Sequence, residues 1–476
     1  MSKSRKSNRK IFCPLTIIAG LAAFIFCALG SFLYVKKALS CLDVKTAESL
    51  NQIQTASLKE AQKSYEDSLP LLNRLPYSVQ EKDLDLYCKA AILIDAKTGS
   101  VIYEQNADQE IPPASMTKLV EMYVVYEAID AGQASLTDIV PLPEESWAQN
   151  LPWDASRMGL DQNHIVTLDE LLLGLAIPSA NDASIAIASY IAGSMDAFVE
   201  RMNKAVSDLG LSHTHFVESS GYSELNVTTP REFAAFCKIY VEKYPWALEK
   251  YHSKESLRYP QENNLPSYQM HMADTLAYTQ HNTNKLLGRL KGVDGLKTGY
   301  IDESGYNLAL TAKRENTRFI SVTMGGPGHG TSEGNRYRNA DGTSLMTYAF
   351  SNFADYIAPD PKSKKAHKYT VALLGTKEKS LNLVPAKDET FTVPFITGSN
   401  VNDSVEAIKV SVELPQFIEG QCNVGDQYGT ITYSIGKNEL YQLPLVADRS
   451  TSPLKGLAKA RAKGFALVIK AFAPEK

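Results

Sequence analysis

Three short clusters carry residue types that could do acyl-transfer chemistry. The first is Pro113-Ala114-Ser115-Met116-Thr117-Lys118, a Ser-x-x-Lys. On a helix, residues three apart share a face with about 5–6 Å between Cβ atoms, so the lysine amine reaches the serine hydroxyl. A serine is a poor nucleophile until a base takes its proton, and a lysine serves only when burial or another cation lowers its pKa. The second is Ser179-Ala180-Asn181, a polar interruption between two apolar stretches. It reads as a cleft loop, or as a plain turn with an N-cap, since Ser and Asn both favour that position. The third is Lys297-Thr298-Gly299 after Val293-Asp294-Gly295-Leu296. Lysine and threonine can hold a carboxylate, and the glycine admits close backbone approach. Its bland alternative is an exposed strand with a glycine turn. Singly these are weak: Ser7-Asn8-Arg9-Lys10 repeats the first and Lys97-Thr98-Gly99 the third.

Their order is more specific than any member. Ser-x-x-Lys, Ser-x-Asn and Lys-Thr-Gly in succession form the signature of penicillin-binding proteins and class A β-lactamases. Residues 90–120, AAILIDAKTGSVIYEQNADQEIPPASMTKLV, resemble the opening of the serine D-alanyl-D-alanine carboxypeptidases, the low-molecular-mass penicillin-binding proteins. Residues 171–188, LLLGLAIPSANDASIAIA, are similar to their second motif region, and 281–310, HNTNKLLGRLKGVDGLKTGYIDESGYNLAL, to their third. The resemblance covers about residues 84–355 and implies an α+β fold, with a β-lactamase/transpeptidase-like catalytic domain followed by a small all-β domain.

The same resemblance implies roles. Ser115 would attack the carbonyl between the two terminal D-alanines of a peptidoglycan stem peptide, and Lys118 would take its proton. Ser179 would relay a proton to the departing amine. Asn181 would hold the substrate amide and help position Lys118. Lys297 and Thr298, with Gly299 beside them, would bind the terminal carboxylate. The backbone N–H groups of Ser115 and Tyr300 would form the oxyanion hole. Water would release the acyl-enzyme, no metal or cofactor is called for, and β-lactam antibiotics would acylate Ser115.

The sequence departs from the family at two points. Leu119-Val120-Glu121 follows the first motif, adding a carboxylate near the site, and Tyr222-Ser223-Glu224-Leu225-Asn226 follows Ser219-Ser220-Gly221. Three other readings are open. A β-lactamase would need a glutamate where Tyr222 stands. An inactive wall-binding relative would keep the fold without turnover. An α/β-hydrolase would use Gly330-Thr331-Ser332-Glu333-Gly334 as a nucleophile elbow, which must join a strand directly to a helix.

The elements that must position these residues are legible in outline. Ala90–Asp95 reads as a buried strand, Lys97–Ser100 as a turn and Val101–Tyr103 as the returning strand. A helix is expected from about Ser115, and further helices at Leu168–Ile177 and Asp182–Ile191. Asn307–Thr311 and Arg318–Met324 read as strands. Without regular βαβ alternation, α+β is favoured. Pro359–Lys365 marks a linker. Short β-branched runs at Tyr369–Leu373, Thr390–Phe395, Ala407–Leu414, Tyr428–Ile435 and Glu439–Leu445 imply a small β module. The expected divisions are 1–42 (basic tail and membrane anchor or signal sequence), 43–83 (helical stalk), 84–358 (catalytic), 366–448 (β-rich) and 452–476 (amphipathic helix).

The 476 residues carry 49 Lys+Arg against 53 Asp+Glu, a net charge of -4. So small a net charge gives no sign of nucleic-acid binding. The average hides two basic ends on a more acidic body. Lys3, Arg5, Lys6, Arg9 and Lys10 precede Ile11–Val35, an uncharged apolar run longer than the roughly 20 residues that span a bilayer. The basic flank should stay cytoplasmic, leaving the body outside; a cleaved signal peptide is the alternative. In the last segment Leu454, Leu457, Ala458, Phe465, Val468 and Phe472 share one helical face and Lys455, Lys459, Lys463 and Lys470 another. Such a helix lies on an anionic membrane surface. Membrane contact through both termini, on the extracytoplasmic (periplasmic) face, is the expectation.

Overall fold

The computed structural model describes residues 44–79, 83–357, 369–395 and 406–472. The apolar run 11–35 and the linker 359–365 lie outside the described residues. Helix α1 (Val44–Asp67) leads in. It is more than a stalk, because its last turns rest on the C-terminal β-rich part: Gln62 Nε2 donates to Pro385 O at 2.8 Å, and Tyr65 packs on that part's core.

Strands β1 (Asn73–Arg74), β2 (Ala90–Asp95) and β3 (Ser100–Gln105) begin the main sheet. Helices follow: α2 (Lys118–Asp130), α3 (Leu168–Ala176), α4 (Asn181–Ala192), α5 (Met195–Asp208) and α6 (Pro230–Lys243). Thr167 opens α3 through a capping box with Glu170, two orphan donors satisfied reciprocally. Thr229 caps α6 with Pro230 at its first position. A hairpin, β4 (Ser256–Tyr259) and β5 (Tyr278–His281), precedes β6 (Val293–Ile301), β7 (Gly305–Arg314) and β8 (Thr317–Gly326), and α7 (Gly330–Asn352) follows.

The sheet order is β1-β3-β2-β8-β7-β6, antiparallel except for the β1–β3 pair. Two-residue alternation divides its side chains between two cores. Ala90, Ile92 and Ile94 of β2, with Ile320, Val322 and Met324 of β8, face the large helical core. Ala91 and Leu93, with Leu308 and Leu310 of β7, face the core under α7. Burial on both faces explains why β2 reads as an unbroken apolar run.

Strand β9 (Phe353–Ile357) leaves α7 and pairs antiparallel with β12 (Thr390–Pro394). A second six-stranded sheet holds β10 (Tyr369–Leu374), β11 (Ser380–Pro385), β13 (Lys409–Glu413), β14 (Phe417–Glu419), β15 (Gln427–Ile435) and β16 (Asn438–Ala447) around its own core. Helix α8 (Gly456–Phe472) closes the described chain with Leu457 74%, Phe465 60% and Leu467 69% exposed. Among the described residues no helix is long and apolar enough to cross a membrane.

Candidate active site

Ser115 sits in a 3₁₀ turn (Ala114–Thr117) that runs directly into α2. Ala114, just before it, has φ +50°, and Ser179 has φ +67°. Left-handed backbone in non-glycine residues costs about 1–3 kcal/mol and persists where its surroundings enforce it. Ser115 is half-buried, and Lys118 beneath it is wholly buried. Lys118 Nζ donates to Ser115 Oγ at 3.2 Å, Asn181 Oδ1 at 2.7 Å and the carbonyl of Ser220 at 2.5 Å. Three acceptors use its three protons. Burial lowers the Lys118 pKa to about 8, against the opposing pull of Glu121, Glu218 and Asp182.

Ser179 does not cap the helix after it; Ala180 holds that position, without a side-chain bond. Its hydroxyl accepts from Lys297 Nζ at 2.8 Å. Lys297 is buried on β6, its pKa pushed well down by burial first, then by Lys118 and Arg338. Thr298 Oγ1 donates to Thr283 Oγ1 at 2.8 Å. The third motif is thus a buried segment of an edge strand, not an exposed turn. A Cβ on Gly299 would meet Pro113 O at 2.4 Å, which is why β6 can lie so close to the serine turn. Gly221, at φ +79°, similarly admits the carbonyl of Ala114, which a Cβ would meet at 1.9 Å. Tyr300, next to last in the strand, is 44% exposed, its ring 4.3 Å from that of Tyr306.

All seven residues singled out in the three motifs therefore come together where the helical part meets the sheet edge. Three further residues were missed. Asp182 accepts from the backbone N–H groups of Met158, Gly159, Leu160 and Ala183, tying a loop to the start of α4. Glu218 accepts from Ser220 N, Gly221 N and Asn226 Nδ2, shaping the loop whose carbonyl holds Lys118. Both stand next to a motif, and a charged residue inside an apolar run was the available signal for Asp182. Arg338 on α7 is buried, donates to Gly299 O at 3.4 Å and leaves Nε without a partner; its distance along the chain hid it.

Two rival constellations do not assemble. Tyr222 points to Asp154, with its hydroxyl 3.1 Å from Oδ1, and Glu224 is exposed. Ser332 is exposed in the first turn of α7, and Pro327–His329 separate that helix from β8.

A serine against a buried lysine, with further buried cations alongside, defines a lysine-assisted serine acyl-transfer enzyme. Residues 77–328 match the peptidase S11 family, D-alanyl-D-alanine carboxypeptidase, and residues 359–452 match the C-terminal domain of penicillin-binding protein 5. The chain is 30% identical over 363 residues to D-alanyl-D-alanine carboxypeptidase DacF of Bacillus subtilis (strain 168), covering 75% of this chain and 84% of that one. It is 31% identical over 388 residues to DacA of Escherichia coli (strain K12), covering 80% and 87%. The crystal structure of penicillin binding protein 5 from Haemophilus influenzae superposes with a TM-score of 0.66 at 27% identity, over 79% of this chain and all of that one. The chain belongs to the serine D-alanyl-D-alanine carboxypeptidase family.

Proposed function

We propose that Ser115 removes the terminal D-alanine of peptidoglycan stem pentapeptides through an acyl-enzyme, with Lys118 as its base. The observation that carries this is the 3.2 Å contact between a reachable serine hydroxyl and a wholly buried amine. With a pKa near 8, about one lysine in ten is a free base at pH 7. Lys118 takes the Ser115 proton as the Oγ–C bond forms. Ser179, linked to Lys297, passes a proton to the leaving D-alanine amine as the C–N bond breaks. Asn181 orients Lys118 and the substrate amide. The backbone N–H groups of Ser115 and Tyr300 receive the oxyanion, and water hydrolyses the ester.

Lys297, Thr298 and Arg338 take the substrate carboxylate. Buried cations without a counter-ion are costly, and the pKa of Lys297 is already depressed by Lys118 and Arg338. An incoming carboxylate relieves that repulsion, so binding energy is concentrated on a substrate ending in one. Penicillins carry a carboxylate and a reactive amide and acylate the same serine. The body lies outside the cytoplasmic membrane, anchored by residues 11–35 and resting on it again through α8. The basic Lys459 and Lys463 of α8 and its exposed Leu457, Phe465 and Leu467 support the second contact.

The test is incubation with a pentapeptide muropeptide. D-alanine should be released by the native chain and not by Ser115→Ala. Release unchanged in Ser115→Ala, or none from the native chain, refutes the assignment.

A further inference from the structure

One buried titratable group takes no part in the chemistry above. Glu121 lies one turn beyond Lys118 on α2 and is fully buried. Neither of its carboxyl oxygens has a hydrogen-bond partner among the described residues. Lys118 spends its three protons on Ser115, Asn181 and Ser220 and gives none to Glu121. On the facing side, the Ser184 hydroxyl of α4 is engaged with Ser219 Oγ at 2.6 Å. An ionised carboxylate in such a place would be desolvated and unpaired, the most costly state for a buried acid. Burial accordingly raises its pKa to about 8, with Lys118 and Ser184 pulling the other way and the charge of Glu218 adding to the rise.

The charged groups around it are few. Lys118 is on its own helix and Glu218 on the loop before Gly221, while Asp182 on α4 acts on Lys118. Of the three acids acting on Lys118, Glu121 exerts the largest pull towards the protonated form. Asp182 and Glu218 are already held by backbone donors. Of the three, Glu121 alone has no hydrogen-bond partner among the described residues, the Ser184 hydroxyl being the donor nearest to it in effect.

We infer that Glu121 is a positioning residue that sets when Lys118 becomes a base: neutral, it leaves the amine free to lose its proton, and ionised, it keeps the proton on the lysine. The pair thus holds one proton between two buried sites. Part of its singly protonated population is ammonium with carboxylate, which cannot deprotonate Ser115. Removing the carboxylate removes that trap. This rests on the reading of Lys118 as the base.

The experiment is the rate of acylation by a fluorescent penicillin across pH 5–10, in the full chain, for native protein, Glu121→Gln, Glu121→Met and Glu121→Asp. The ascending limb should move to lower pH by about one unit in both neutral variants, giving roughly tenfold faster acylation on the acid side. Glu121→Asp, still ionisable, should keep the native limb. Thermal melting identifies the folded variants, and the methionine variant serves if the glutamine variant does not fold. A limb that stays at the native pH in a folded neutral variant overturns the inference, even if the rate falls, because a purely structural role changes the rate and not the pH dependence. Lys118→Ala distinguishes the two levels: acylation at the native rate and pH dependence in that variant would overturn the base assignment itself.

Discussion

Replacing Asp355 with Asn should make this protein more stable relative to the native chain as pH rises. Asp355 on β9 lies opposite Thr392 on β12, where the strand leaving the catalytic part pairs with the β-rich part. Its carboxyl oxygens are buried, and neither meets a donor among the described residues. Beside it, Asp95 is saturated: its Oδ1 accepts from Lys97 N at 2.9 Å and Thr98 N at 3.1 Å, and its Oδ2 from Thr392 Oγ1 at 2.6 Å. Two buried carboxyls side by side cannot both ionise cheaply. Burial first, and then the charge of Asp95, push the Asp355 pKa well above the usual carboxylate range. Asp355 therefore carries a proton when folded.

The sign follows from linkage. The folded pKa is raised, so the contribution is fully present below the unfolded value of about 3.9 and is lost as pH rises towards the folded one. Across the neutral range the folded chain binds one proton more than the unfolded chain at this site. Stability then falls with a limiting slope of about 1.4 kcal/mol per pH unit. Asparagine is nearly isosteric and donates from its amide at every pH. The stability difference between variant and native chain should therefore grow by about 1 kcal/mol or more per unit between pH 6 and 8. Urea denaturation at pH 6, 7 and 8, followed by circular dichroism, measures it. Parallel curves for the two proteins would refute the reasoning, whatever their absolute separation, because they would mean that no extra proton is held at Asp355.

Gly299→Ala should leave the fold intact and slow penicillin acylation about 100-fold, since its Cβ would press on Pro113 O and Ala114 Cβ and move β6 off the serine turn; acylation within threefold of native in a folded variant counts against that packing argument. Replacing Lys455, Lys459 and Lys463 with Gln in a chain lacking residues 1–42 should weaken binding to anionic vesicles by about 100-fold, at roughly 1 kcal/mol per lysine. Unchanged co-sedimentation would remove α8 as a membrane contact.

The sequence was informative where a local pattern and its burial coincide. Ala90–Asp95 and the paired apolar stretches around Ser179 could be read because each is buried where its own residues say it should be. Five strands of the β-rich part were anticipated, whereas β11 and β14 were not. Ser380–Pro385 carries only Leu381 and Leu383 on its buried face, and Phe417–Glu419 is too short for periodicity. The contact of α1 with the β-rich part was not legible, because pairing with a surface distant in sequence leaves no mark on helical spacing. The left-handed backbone at Ala114 and Ser179 is likewise invisible, since neither residue type announces it.

The site shows the same division more sharply. Each motif supplies its own side chains, and these could be named. What makes them a site is supplied by residues whose types say nothing of their partners. Lys118 is suited to the role of base proposed for it because it is buried, and it is held by a carbonyl that Glu218 positions from a loop far along the chain. Lys297 meets Ser179 only because β6 is the last strand of the sheet and is free to lie against the helical part. Glu121 makes the point in reverse. As a letter it was only a departure from a family pattern. Its meaning comes from full burial with no hydrogen-bond partner among the described residues, a property of the packed helices that no spacing rule encodes. The pH at which this enzyme acquires its base is, on that argument, set by packing around one acid that never touches substrate.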